Sequence, residues 1–154
     1  MTDHAERAKA LFLEGYNCAQ SVFCAFTDVT GLDLATAARL SSSFGGGLGR
    51  LREVCGAVSA AAMVLGLAKG YDRPGDDGLK KRHYALVRDF AERFRAESGS
   101  YNCRELLTNA GVLAQIGGDP EARTPDYYEK RPCPDLVRRA ARILDEMLAE
   151  QNAR

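Results

Sequence analysis

Apolar residues recur along this chain at spacings of three and four, the period of a helix, and no run alternates apolar and polar positions as a strand would. A first helix is predicted from about Asp3 to Glu14, with Ala5, Ala8, Leu11 and Phe12 on one side and Gly15 as its stop. A second begins at Asn17, a good N-cap, and carries Ala19, Val22, Phe23 and Phe26. Gly31 separates it from a third, capped by Asp33 and running to about Ser42. After a glycine-rich turn, Phe44 to Arg50, a helix of small residues is expected from about Glu53 to Lys69. Beyond a polar loop, Tyr71 to Gly78, Asp76 or Asp77 caps a long amphipathic helix to about Glu97, with Leu79, His83, Leu86, Val87, Phe90 and Phe94 as its stripe. A short helix starts at Asn102. The stretch from Gly117 to Pro132, with prolines at 120, 125 and 132, reads as irregular. The last helix starts near Cys133 and turns Leu136, Val137, Ala140, Ile143, Leu144, Met147 and Leu148 inward. The expected fold is all-α: a compact bundle of about six to seven helices with a glycine-rich inter-helix turn, residues 1–154 forming one domain.

Composition agrees with this pattern. The 154 residues suit one sizeable core, and 45% apolar content is that of a globular chain. Lys plus Arg equals Asp plus Glu at 21 each, so no global basic field draws in nucleic acid or an anionic membrane surface. The opening residues lack the apolar core of an export signal. The longest apolar stretch, Gly56 to Ala68, is too short to cross a bilayer. A cytoplasmic protein with no nucleic-acid or membrane partner is expected.

The cysteines change the picture from a plain bundle to a candidate chemical centre. There are five, with no Cys-x-x-Cys pair, which removes the thioredoxin signature, the local zinc knuckle and the haem attachment motif. In a reducing cytosol, widely spaced cysteines point to catalysis or metal binding rather than structural disulfides. Cys18, Cys55, Cys103 and Cys133 each fall in the first turn of a predicted helix. There the unpaired N–H groups and the helix dipole favour an anion, so lowered thiol pKa values are expected. Each also heads an apolar row, Cys18 with Val22 and Cys55 with Val58 and Ala62, so all four would point inward. Cys24 lies in a polar row with Gln20, Ser21, Thr27 and Asp28 and should stand outside the set. The plain alternative is that the four are small buried apolar residues. Tyr-Asn-Cys occurs twice, at 16–18 and 101–103, suggesting one local geometry used twice.

The glycine-rich turn offers bare backbone. Gly45, Gly46, Gly47, Gly49 and Arg50, with Gly56 beyond, could approach a cofactor and present N–H groups to sulfur or phosphate; a tight helix-to-helix crossover explains them equally well. No nucleotide motif is completed, since neither G-x-G-x-x-G nor a P-loop is present. Arg50 and Arg52 lie near Cys55 in sequence and could stabilise its thiolate. Gly56, Ala57, Ala60, Ala61, Ala62 and Gly66 make one helix thin enough for the centre of a bundle, while His4 and His83 read as solvent-facing or half-buried rather than as ligands.

Cys55-Gly56-Ala57-Val58-Ser59, the preceding turn, the opening Gly15-Tyr16-Asn17-Cys18 and the late pair Cys103 and Cys133 together resemble the C-GCAxxG-C-C family. The resemblance covers nearly the whole chain. The last glycine of that motif is Ala60 here, which adds a methyl at a place of close approach. The resemblance implies a redox role through Cys18, Cys55, Cys103 and Cys133. A related domain in a multi-cofactor cytochrome implies that such cysteines can hold an iron–sulfur cluster. Two redox forms follow: a cluster or other metal ion for electron transfer, or a thiol/disulfide centre, in an oxidoreductase or an electron carrier. The alternative is a structural zinc site stapling a helical binding module. A redox partner of unspecified identity is expected, and a homo-oligomer stays open.

Overall fold

A computed structural model describes residues 2–153. Among these residues the fold is all-α, and the sole β-type pairing is an isolated antiparallel bridge between Val54 and Asn102. Nine helices follow in order: α1 (His4–Leu13), α2 (Cys18–Ala25), α3 (Thr27–Thr30), α4 (Leu34–Ser41), α5 (Gly56–Lys69), α6 (Asp77–Ser98), α7 (Cys103–Asn109), α8 (Pro125–Lys130) and α9 (Cys133–Asn152). No helix among the described residues is long and apolar enough to cross a membrane.

Local chemistry sets most of these boundaries. Asp3, Asn17, Asp33, Asp76 and Asn102 each accept a hydrogen bond from a backbone N–H in the first turn of the helix that follows. Asn17 also forms a full capping box with Gln20. Helix α1 lies against α9 and α2, and α5 sits between α2, α6 and α9. The small face of α5 is what permits this: Ala57, Ala60, Ala61, Val64 and Leu65 are completely buried. The inward residues read for α9, from Leu136 to Leu148, are all buried.

The structure departs from expectation in several places. Helix α5 starts at Gly56 rather than Glu53, because residues 53–55 are extended: Cys55 donates to the Tyr101 carbonyl (2.8 Å) and Cys103 to that of Glu53 (2.6 Å). Two short helices, α3 and α8, are additional. In α8, Thr124 caps the Tyr127 N–H and Pro125 occupies the first turn, where proline is favoured. Of the α6 stripe, only Phe90 and Phe94 are buried and Leu79 is exposed, since the first turns of α6 reach beyond the core. Cys24 is not on a polar face but wholly buried in the main core, because the Gln20 and Ser21 side of α2 packs under α4, with Gln20 donating to the Ala38 carbonyl. His4 is buried too, held by Asp145 (2.7 Å) and Asp28 (2.9 Å) and stacked on Phe26.

Between α4 and α5 the chain makes a turn of the opposite hand. Gly46, Gly47, Leu48, Gly49 and Arg50 have consecutive φ values of +65°, +68°, +71°, +54° and +66°, and Arg52 has +60°. Five successive residues in this region form a left-handed turn, which costs L-residues roughly 1–2 kcal/mol each. Glycine removes that cost at three of the five. Hydrogen bonds from Arg52 N–H to the Gly46 carbonyl and from Glu53 N–H to that of Gly47, both 3.0 Å, close the turn.

Candidate functional site

All four cysteines sit at helix starts. Cys18, Cys103 and Cys133 are the first residues of α2, α7 and α9, and Cys55 is the N-cap of α5. The four helix starts meet at one end of the bundle, and all four side chains line a single cavity of about 70 Å³. Phe12, Leu106, Leu107 and Leu136 supply its apolar wall, with Tyr127, Asn17, Gly46 and three arginines, Arg52, Arg123 and Arg131, completing the lining. Cys24 does not line it. All five thiols are free.

Two glycines make the convergence possible. A Cβ on Gly56 would stand 2.6 Å from Cys18 Sγ and 2.6 Å from the Phe44 carbonyl oxygen. A Cβ on Gly47 would stand 2.7 Å from Cys103 Cβ and from the Glu53 nitrogen. No real side chain fits at either distance. Gly45 packs as tightly on the Asn17 side chain, which donates to the Ser42 carbonyl and so fastens the start of α2 to the end of α4. Gly49 has open space and serves only its left-handed φ. Of the turn residues, Gly46 lines the cysteine cavity itself, while Gly45, Gly49 and Arg50 line an adjoining outer hollow.

Electrostatics run against the expected lowering of thiol pKa. Burial pushes Cys18 up, with the Gly46, Ala19 and Gly56 N–H groups pulling the other way and the Cys103 thiol adding to the rise. Burial also carries Cys55 well above the ordinary thiol value and Cys133 to about 12, each reinforced by the other thiols around it. The helix-start N–H groups are present, but desolvation outweighs them. Cys55 feels the charges of Cys18, Cys133 and Cys103, Cys133 those of Cys18 and Cys103, and Cys18 that of Cys103, as a convergent set requires. Tyr127, beside Cys133, is likewise raised by burial.

Of the three arginines, the sequence marks Arg52 as a neighbour of Cys55, while Arg123 and Arg131 come from places it does not mark. Arg52 is 3% exposed; its Nε donates to the Gln115 carbonyl (2.9 Å), and its Nη1 lies 3.7 Å from Cys103 Sγ, so it attends Cys103 and not Cys55. Arg123 donates to the Phe12 and Tyr16 carbonyls, closing the end of α1, and lies over the Phe12 and Tyr127 rings. Arg131 is ion-paired with Glu121 and lies over Tyr127. Arg123, Tyr127 and Arg131 belong to the stretch read as irregular. Its short helix carried a signal, Thr124 followed by Pro125, but nothing local could show that it folds back over α1.

Among the described residues, no group of three or more His, Cys, Asp or Glu side chains is placed as a ready metal site. The donor set of the cavity nevertheless has a definite chemical character: four sulfurs, with no carboxylate or imidazole in the lining. Soft thiolate ligands of this kind suit iron–sulfur clusters, zinc and copper(I).

Fold and site thus define an all-helical protein with a buried, convergent cysteine pocket. The chain belongs to the family described as "Putative redox-active protein (C_GCAxxG_C_C)", whose profile matches residues 16–147 and so spans all four cysteines. No curated protein and no solved structure matches the chain.

Proposed function

We propose that the protein is a one-electron carrier whose centre is an iron–sulfur cluster held by Cys18, Cys55, Cys103 and Cys133. The observation that carries this reading is the convergence of four thiols on one cavity, with Cys18, Cys55 and Cys133 desolvated there. A dithiol that exchanges by nucleophilic attack works best with a thiol pKa near the ambient pH and open access. Burial moves Cys18, Cys55 and Cys133 the opposite way, which favours ligands over nucleophiles. A cluster supplies reversible one-electron reduction at a potential set by its charge, by hydrogen bonds to sulfur and by exposure. Around it, the Gly46 N–H would donate to Cys18 sulfur and the Arg52 guanidinium to Cys103 sulfur, both tuning groups of that kind. A reducing compartment such as the cytosol suits the free thiols.

Protein purified without oxygen tests the reading. It is expected to carry stoichiometric iron and acid-labile sulfide and a visible absorption band that bleaches on chemical reduction. Cys55→Ser abolishes these signals, whereas Cys24→Ser, which does not line the cavity, keeps the band and lowers only stability. Colourless protein that loses thiols in pairs on mild oxidation would replace the cluster with a disulfide couple. Bound zinc without any redox response would replace it with a structural staple.

A further inference from the structure

The cysteine cavity opens into a second hollow of about 380 Å³, which shares with it Asn17, Gly46, Arg52, Arg123, Tyr127 and Arg131. Arg50 joins the set on this outer side. Four guanidinium groups therefore surround one small space, and the carboxylate facing them is Glu121. Glu121 pairs with Arg131, and the charges of Arg50 and Arg52 hold its pKa down further. Four cations around one anion leave a local excess of positive charge in a chain whose overall charge is zero.

Two of these cations have unused donors. Arg50 donates through Nε to the Gly117 carbonyl and Arg52 through Nε to that of Gln115, so both stems are fixed by the 115–117 backbone. The Nη2 atoms of both residues are buried and find no hydrogen-bond partner among the described residues. A buried donor on a charged group left empty is costly, and such groups ordinarily find an acceptor. The guanidinium fork matches two oxygens of one anionic group.

We propose that this arginine vestibule is a binding site for a small dianionic, oxyanion-bearing molecule, seated by the Nη2 groups of Arg50 and Arg52 with Glu121 as the internal competitor. The vestibule adjoins the cysteine cavity, so a bound anion lies next to the centre of the previous section. That functional placement rests on the redox reading; anion binding itself does not.

The test is calorimetric titration of the intact protein with inorganic phosphate at low ionic strength. Sulfate and malonate are compared, to separate tetrahedral anions from dicarboxylates, and chloride serves as the ionic-strength control. Wild-type protein is expected to bind a dianion saturably at one site. Arg50→Gln should weaken binding about tenfold, the loss of one charge-assisted hydrogen bond. Glu121→Gln, at an exposed side chain, should tighten it several-fold by removing the competitor, an opposite change that general destabilisation cannot produce. Absence of saturable binding by the wild type, or equal affinity in all three proteins, overturns the site. Iron content and thiol redox behaviour are measured on the same samples, so failure of the redox reading would leave the anion result standing, and the reverse.

Discussion

Cys18, Cys55 and Cys133 are each subject to two opposed local forces. For Cys18 and Cys55 backbone N–H groups favour thiolate, for Cys133 the Arg131 and Arg123 charges do, and in all three cases burial, which favours thiol, wins. Alkylation of Cys133 in the unloaded protein by neutral iodoacetamide, followed on its peptide, is therefore expected to be slow at pH 8 and to keep accelerating well above the ordinary thiol value of 9.0, since Cys133 ionises only near 12. A plateau below pH 9 would contradict this. The linked effect on stability has a definite sign. A thiol raised in the folded state costs nothing while both states are protonated, and stability is lost as pH rises from about 9 through about 12. Gly56 and Ala60 show how differently two positions of one motif are constrained. Gly56 has Cys18 sulfur where a Cβ would be, whereas Ala60 is completely buried and its methyl is accommodated within the core.

At the scale of elements, the left-handed turn positions the site. It carries Gly46 to Cys18, Gly47 to Cys103 and Arg52 into the cavity within seven residues. Gly47→Ala is expected to lower stability by about 2–4 kcal/mol, because the added methyl meets Cys103 and the Glu53 backbone at an unfavourable φ. Leu48→Gly, one residue on, should be neutral or stabilising by up to about 1 kcal/mol. Leu48 is half exposed and carries the same positive φ without glycine's freedom. Urea midpoints of the two variants check the contrast. In the sequence this segment was legible as a glycine-rich turn with close backbone approach, but not as left-handed, because Leu48, Arg50 and Arg52 give no sign of positive φ. The helix starts were legible wherever an Asn or Asp cap announced them, as at Asn17 and Asn102. Cys55 escaped because it is itself the cap, after a segment held extended by residues 101 and 103. The burial of Cys24 was hidden in the same way: Gln20 and Ser21 look polar along the chain, yet their hydrogen bonds to Ala38 and Asn17 are made inside the fold.

Over the whole molecule, the cysteine pocket lies at the end of the bundle where α2, α5, α7 and α9 begin, while His4 at the head of α1 joins α3 and α9 through Asp28 and Asp145. His4→Ala removes two charge-assisted hydrogen bonds and a ring stack at 4.1 Å on Phe26, and is expected to cost about 2–3 kcal/mol. Because His4 does not line the pocket, thiol titre and metal content of the folded variant should equal those of the wild type. A pocket drawn from four distant segments also has a consequence for how the protein matures. The fourth sulfur, Cys133, is made more than a hundred residues after the first. A ribosome holding an unfinished chain carries at most three of the four donors until α9 emerges. Any group needing all four sulfurs is therefore seated only after Cys133 has been made, and an incomplete set of donors precedes it throughout synthesis.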